Sequence, residues 1–235
     1  MTLSLLTPKR RRGAEILDDP AVDPAIRERS ISDVTRSNKL LGGLRAAVAA
    51  FESVLPTLND GAVVLDVGTG LADIPERARA VARSNGRALT TIGVDEAWTL
   101  LHVARSRLDA GVCANALELP FRDRSIDVVM CSQILHHFDD GDATQFLAEM
   151  NRVARQAVII SDLRRSWIAA AGFWLVSFPL RFHRVTRHDG VVSVLRGFTA
   201  TELRHLVQTA TGVTPRVERR LGWRLSAVWT PASRR

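Results

Sequence analysis

Val63-Val64-Leu65-Asp66-Val67-Gly68-Thr69-Gly70-Leu71-Ala72-Asp73-Ile74-Pro75 is the stretch that decides the fold. An almost wholly apolar run leads into two glycines and then into a helix-forming segment, which reads as strand, tight turn and helix. Glycine carries no Cβ, so the backbone at Gly68 and Gly70 can approach a ligand closely while the N–H groups of the next helix face it. The acid at Asp66, two residues before Gly68, sets this turn apart from the dinucleotide fingerprint, which has no use for a carboxylate beneath a pyrophosphate.

Outward from this turn, short β-rich runs alternate with amphipathic helical stretches. Strands are predicted at 62–67, 89–94, 111–114, 126–131 and 157–161, with helices at 74–84, 96–108 and 143–153. Such alternation predicts an α/β fold with a parallel sheet and helices on both faces. The uninterrupted apolar runs VVLDV, DVVMC and AVIIS fit strands covered on both sides. Towards the C-terminus, Thr199 caps a predicted helix over 199–211, and PRVERRLGWRLSAVWTP (215–231) reads as two strands turning near Leu221-Gly222.

The first 37 residues are polar and charged, and Pro20 and Pro24 predict irregular structure with short helices. A helical pattern follows over 38–58 and ends near Pro56, before the turn Asn59-Asp60-Gly61. The segment SWIAAAGFWLVSFPL (166–180) predicts an apolar helix over 167–180, too short to span a bilayer. It suits a core helix, an interfacial anchor with peripheral membrane contact, or the wall of a substrate pocket. Residues 181–190 read as a basic turn. Cys113 and Cys131 fall in runs assigned to neighbouring strands and read as small buried hydrophobes without a disulfide.

The formal net charge is +7 over 235 residues, but its distribution is uneven. Residues 1–160 hold 19 basic and 21 acidic side chains, whereas residues 161–235 hold 13 and 4. This concentration reads as a solvated face or an anion-friendly site entrance, not as a nucleic-acid track. The six residues ahead of Thr7-Pro8-Lys9-Arg10-Arg11-Arg12 are too few for the apolar core of a secretory signal, which predicts a cytoplasmic protein.

With these motifs the sequence over about 60–162 resembles the class I S-adenosylmethionine-dependent methyltransferases, in particular the small-molecule branch that includes the ubiquinone and menaquinone methylases. The resemblance implies a Rossmann-like fold with a seven-stranded, mostly parallel sheet, an antiparallel terminal hairpin strand and an N-terminal helical segment. It divides the chain into a leader and helical cap (1–58), a cofactor-binding core (59–162), and an acceptor-binding cover with closing strands (163–235). LDVGTGLADIP resembles the family's first motif, with Ala72 where a third glycine often stands. Asp66, Gly68, Thr69 and Gly70 would then hold S-adenosylmethionine, whose amino group and sulfonium are cationic and welcome a carboxylate.

In TIGVDE the resemblance gives Asp95, beside Glu96, the role of accepting hydrogen bonds from both ribose hydroxyls; a helix cap is the alternative. In CANALELPF, Asn115 replaces the aspartate that usually meets the adenine amino group, with Ala116 beside it. Ser132 begins SQILHHF, the segment that lines the transfer site in this family. His137 is the expected general base there, and His136 is expected at the substrate. Trp167, Trp174 and Arg187 are the other expected substrate contacts, and His188, next to Asp189, is a second candidate base. No metal site is expected, since no carboxylate cluster follows the fourth strand. The expected activity is O-methylation of a small hydrophobic acceptor such as a phenol, quinone-like compound or polyketide. An RNA or tRNA methyltransferase and a non-catalytic binding protein are the alternatives.

Overall fold

In the computed structural model, the described residues are 7–232 except 12 and 20. Seven strands form one sheet: β1 (Ala62–Val67), β2 (Leu89–Asp95), β3 (Ala110–Cys113), β4 (Ile126–Ser132), β5 (Ala154–Leu163), β6 (Arg216–Arg220) and β7 (Arg224–Trp229). Their order is β3-β2-β1-β4-β5-β7-β6. The first five run parallel, while β7 lies antiparallel between β5 and β6.

Successive strand residues point to opposite faces, so each apolar strand supplies two cores. Leu65, Val67, Val129, Cys131, Val158 and Ile160 face one side. There they meet Phe146, Leu147 and Met150 of α5 (Asp140–Val153), and Leu203 and Val207 of α8 (Ala200–Thr211). Val64, Val128, Met130 and Ile159 face the other side, against Phe51 of α2 (Gly43–Glu52) and Ala78 and Ala82 of α3 (Asp73–Ser84). The remaining helices are α1 (Pro24–Leu40), α4 (Trp98–Ala104), α6 (Trp167–Ser177) and α7 (Arg184–Arg196).

The leader departs from its expectation. Pro24 does not stop a helix but opens one of 17 residues, because proline at the first helical position loses no backbone bond and has the right φ already. Asp23 caps it by accepting from Ala25 N and Ile26 N. The helix expected over 38–58 breaks at Gly42, whose φ of 87° turns the chain from α1 into α2. The expected basic turn over 181–190 is largely helix, since α7 starts at Arg184 with His183 as its cap. Cys113 and Cys131 are unpaired, but β2 and β1 stand between their strands, and Cys113 is exposed. Elsewhere local chemistry holds: Thr199 and Glu202 form a reciprocal capping box at α8.

Helix α6 buries Ala169 and Ala170 and exposes Trp167, Ile168, Trp174 and Leu175. Among the described residues, no single helix is long and apolar enough to cross a membrane.

Candidate active site

Because β1, β2, β4 and β5 are parallel, the segments that leave their C-terminal ends converge on one edge of the sheet. Val67 pairs with both Val94 and Cys131, and Ser132 pairs with Ser161. This sets Asp66–Gly70, Asp95 and Ser132 side by side, where ligands bind in open parallel sheets.

The glycine turn is pinned to β2. Gly68 N and Thr69 N both donate to the Val94 carbonyl, at 2.7 and 2.9 Å. Asp95 Oδ2 accepts from Gly70 N and Oδ1 from Ala97 N, each at 2.9 Å. Asp95 therefore ties the turn to the start of α4 and is not that helix's cap, which is Ala97. Each carboxylate oxygen keeps a second lone pair for a ligand hydroxyl. Gly68 is in the left-handed region, which favours glycine, and a Cβ there would have to displace the Ile134 side chain, whose Cδ1 lies 1.5 Å from its position.

Asp66 is buried, and its carboxyl is pushed up to about 7 by burial, with the Asp95 charge adding to the effect. Ser132 Oγ and Ser161 Oγ are buried without a hydrogen-bond partner, and the buried Asp66 Oδ1 and Thr69 Oγ1 have only each other. These buried oxygens at one strand edge fit a ligand bearing an ammonium group and hydrogen-bonding atoms. Asn115 is exposed, with Oδ1 accepting from Leu117 N at 2.8 Å. Ala116 is half-buried and Glu96 exposed beside it. Gln133, which sequence reasoning passed over, has a φ of 59° just after β4, and its side chain lies against Gly43.

The two histidines have different surroundings. His136 is buried, with Nδ1 2.7 Å from Asp162 Oδ1, while Asp162 also accepts from His136 N and Leu163 N. Burial lowers the His136 pKa against the pull of Asp162, and the ring is neutral with its Nδ1 proton toward the carboxylate. Burial opposes ionisation of Asp162 as well, but His136 and the Leu163 amide outweigh it and hold its carboxyl below the usual range. His137 is more open. Burial opposes its charging, but Asp18 at 3.6 Å and Glu15 at 3.9 Å raise its pKa.

Glu15 and Asp18 belong to the leader, and nothing in the sequence pattern marked them. Glu15 is buried and accepts from Ser193 Oγ at 2.7 Å; Arg196 lies 3.6 Å away. Together Glu15, His136 and His137 bring three potential ligand atoms within 4.8 Å of one another, an arrangement not expected from sequence. The Arg196 guanidinium already supplies positive charge to Glu15 there. Asp189 holds the leader through Ile16 N and Leu17 N, at 2.8 and 2.9 Å. His188 does face Asp189, Nδ1 to Oδ1 at 2.8 Å, but is half-exposed over the docked leader.

This docking carries a pH dependence. The His137–Asp18 pair depresses the Asp18 carboxyl to about 2, first through the hydrogen bond to His137. A raised histidine pKa gives stability that is complete below the unfolded value of 6.5 and is lost as pH rises through the folded value. A depressed carboxyl gives stability above its unfolded 3.8 that is lost as pH falls through about 2. Docking is therefore tightest between those unfolded values. Hydrogen exchange at Ile16 and Leu17, corrected for intrinsic rates, is expected to lose protection above pH 6.5. Asp18→Asn is expected to flatten that dependence; equal protection across the range in the parent would contradict it.

A cavity of about 690 Å³ opens at the same sheet edge. It lies between the α1–α2 corner (Leu41, Gly42, Ala46), α6 (Ala169, Gly172, Phe173, Val176) and the β6–β7 turn. Of the expected substrate contacts, Trp167, Trp174, Arg187 and His136 are not in its wall. Trp167 is stacked by Arg11, Trp174 packs edge-on against Phe178, and Arg187 stacks on Phe178 while bonding Ser177 Oγ. Helix α6 does line the cavity, but through Phe173 and its small residues, one turn-face away from the tryptophans.

Comparison with known proteins agrees with this architecture. Residues 65–160 match the family model described as a methyltransferase domain. No curated protein matches the chain. Among solved structures, the plantazolicin methyltransferase BpumL in complex with SAH is similar with a TM-score of 0.68 at 13% identity, covering 90% of this chain and 92% of that one. Magnesium protoporphyrin IX methyltransferase from Synechocystis PCC 6803, with bound SAM, has a TM-score of 0.53 at 11% identity, covering 92% and 88%. A putative O-methyltransferase from Nostoc punctiforme PCC 73102 has a TM-score of 0.63 at 17% identity, covering 94% and 64%.

The fold is that of the class I S-adenosylmethionine-dependent methyltransferases. Residues 65–160 carry the match to a methyltransferase domain.

Proposed function

We propose that the protein O-methylates a small hydrophobic acceptor held in the cavity between the α1–α2 corner, α6 and the β6–β7 turn. The observation that carries this reading is the position of that largely apolar cavity. Leu163 at the C-terminal end of β5 is in its wall, and Gly43, next to the wall residue Gly42, touches Gln133 beside Ser132. Acceptor and donor sites would thus share one crevice.

In this reading Asp66, Gly68, Thr69, Gly70 and Ser132 hold the amino-acid end of the donor, Asp95 the ribose, and Asn115 and Ala116 the adenine. When bound, S-adenosylmethionine supplies a methyl group on a positively charged sulfur. The chain's own task is positioning: it excludes water from the crevice and holds the acceptor oxygen at a fixed approach. His137, the base expected from the sequence, is not in the cavity wall and turns its ring to Asp18 and Glu15, so we assign it to the docking of the leader. His188 is assigned to the leader-docking cluster around Asp189.

The test is transfer of radiolabelled methyl from the donor to a panel of apolar phenols and hydroxyquinones, with bulk tRNA alongside. Label is expected in solvent-extractable product and not in RNA. Phe173→Ala is expected to raise the acceptor's KM roughly ten- to a hundredfold, the value of burying one aromatic ring. Trp174→Ala is expected to leave KM within about threefold, since that ring is half-exposed outside the cavity. Label confined to RNA, or a KM sensitive to Trp174 and not to Phe173, would contradict the proposal.

A further inference from the structure

Most side chains in the cavity wall are apolar, and its charged ones are Arg45, Arg219, Arg220 and Arg224. Arg220 is partnered, with Glu218 at 2.5 Å. Arg45 and Arg219 are exposed and form no ion pair among the described residues. Arg224 is different: it is only 5% exposed, at the start of β7 opposite Leu163, and its Nε is buried without a partner. Among the described residues it makes no side-chain hydrogen bond or ion pair.

A buried guanidinium is costly unless its fork of donors is met by acceptors. The one anion near enough to favour its charge is Asp162, whose oxygens are already taken by His136 and Leu163. Burial lowers the Arg224 pKa to about 10, so the group is still a cation at neutral pH. A cation is therefore held in the wall of an apolar cavity with its hydrogen-bonding capacity unspent.

Resting on the reading of this cavity as the acceptor site, we propose that the acceptor is an amphipathic carboxylate whose anionic group pairs with Arg224 while its apolar body lies along Phe173, Val176 and Leu163. A carboxylate matches the planar guanidinium fork with two parallel hydrogen bonds. The exposed Arg45 and Arg219 would draw such an anion toward the cavity without fixing it. A neutral acceptor of the same shape would leave the buried cation unpaired and bind more weakly.

The experiment is calorimetric titration of the full chain, saturated with S-adenosylhomocysteine, with decanoate and with decanol. The parent is expected to bind decanoate at least about tenfold more tightly than decanol, the value of a hydrogen-bonded charge. Arg224→Met, or Arg224→Gln if the methionine variant does not fold, is expected to abolish that preference. The double variant Arg45→Gln/Arg219→Gln is expected to retain it. Equal affinities in the parent overturn the proposal, as does a preference that survives loss of Arg224 or disappears with the exposed pair. Titration of S-adenosylhomocysteine into the same samples separates the two readings. Absence of that binding strikes at the methyltransferase site itself, whereas normal binding with no carboxylate preference strikes only at the role of Arg224.

Discussion

Gly68→Ala is expected to cost about 2–4 kcal/mol of stability and to weaken S-adenosylhomocysteine binding at least about tenfold, more than any other single-methyl change in the glycine turn. Two independent effects act at this position. Its φ of 67° is left-handed, and a Cβ would sit 1.5 Å from Ile134 Cδ1. Relief requires the Ile134 side chain to move aside or the turn to shift from the Val94 carbonyl that Gly68 N and Thr69 N share. Gly70→Ala is the internal control. Its φ of 53° carries the same backbone penalty, but nothing lies within 4 Å of its missing Cβ. The cost there is expected to be about 1 kcal/mol. Urea unfolding with calorimetry on both variants checks the pair, and equal effects would show that Ile134 does not set the turn.

Asp162→Ala is expected to destabilise the protein by about 3–5 kcal/mol, measured by urea unfolding. The carboxylate is fully buried and accepts from His136 N, His136 Nδ1 and Leu163 N. Its removal leaves three donors without an acceptor in a site with no room for bulk water. It also takes away the charge that favours the Arg224 guanidinium. Asp162→Asn keeps one acceptor and is expected to lose less. A loss below about 1 kcal/mol in the alanine variant would mean that the histidine segment is held by packing alone.

Much of this architecture is written in short-range patterns. The runs around Leu65, Val129 and Ile159 are apolar on both faces, and each is followed by turn residues and a helix, which is enough to define the parallel sheet. The reversal at Leu221-Gly222 and the Thr199 cap are equally local. What was not legible depends on contacts between distant residues. Pro24 was read as a breaker because its position relative to Asp23, one residue earlier, decides whether it stops a helix or starts one. The histidine pair stood out, but Glu15, whose carboxylate reaches both rings, lies in a polar leader with no periodicity.

The cavity shows the same division. The apolar segment at 166–180 does contribute its wall, but a nearly all-apolar helix has no face that the sequence can single out. Helix packing turned Phe173 inward and Trp174 outward. The excess of arginine in the last third was visible. That Arg224 is buried follows from strand register: Leu225, Ala227 and Trp229 take one core, which sends Arg224 to the opposite face, under the α1–α2 corner.

We propose the edge formed by Asp66, Gly68, Thr69, Gly70, Asp95 and Ser132 as the site of the methyl donor. Isothermal titration of the full-length protein with S-adenosylhomocysteine, and separately with NAD, tests it most directly. Saturable one-to-one binding of S-adenosylhomocysteine with no heat from NAD is the predicted result. Absence of S-adenosylhomocysteine binding by folded protein, or binding of NAD in its place, would contradict it.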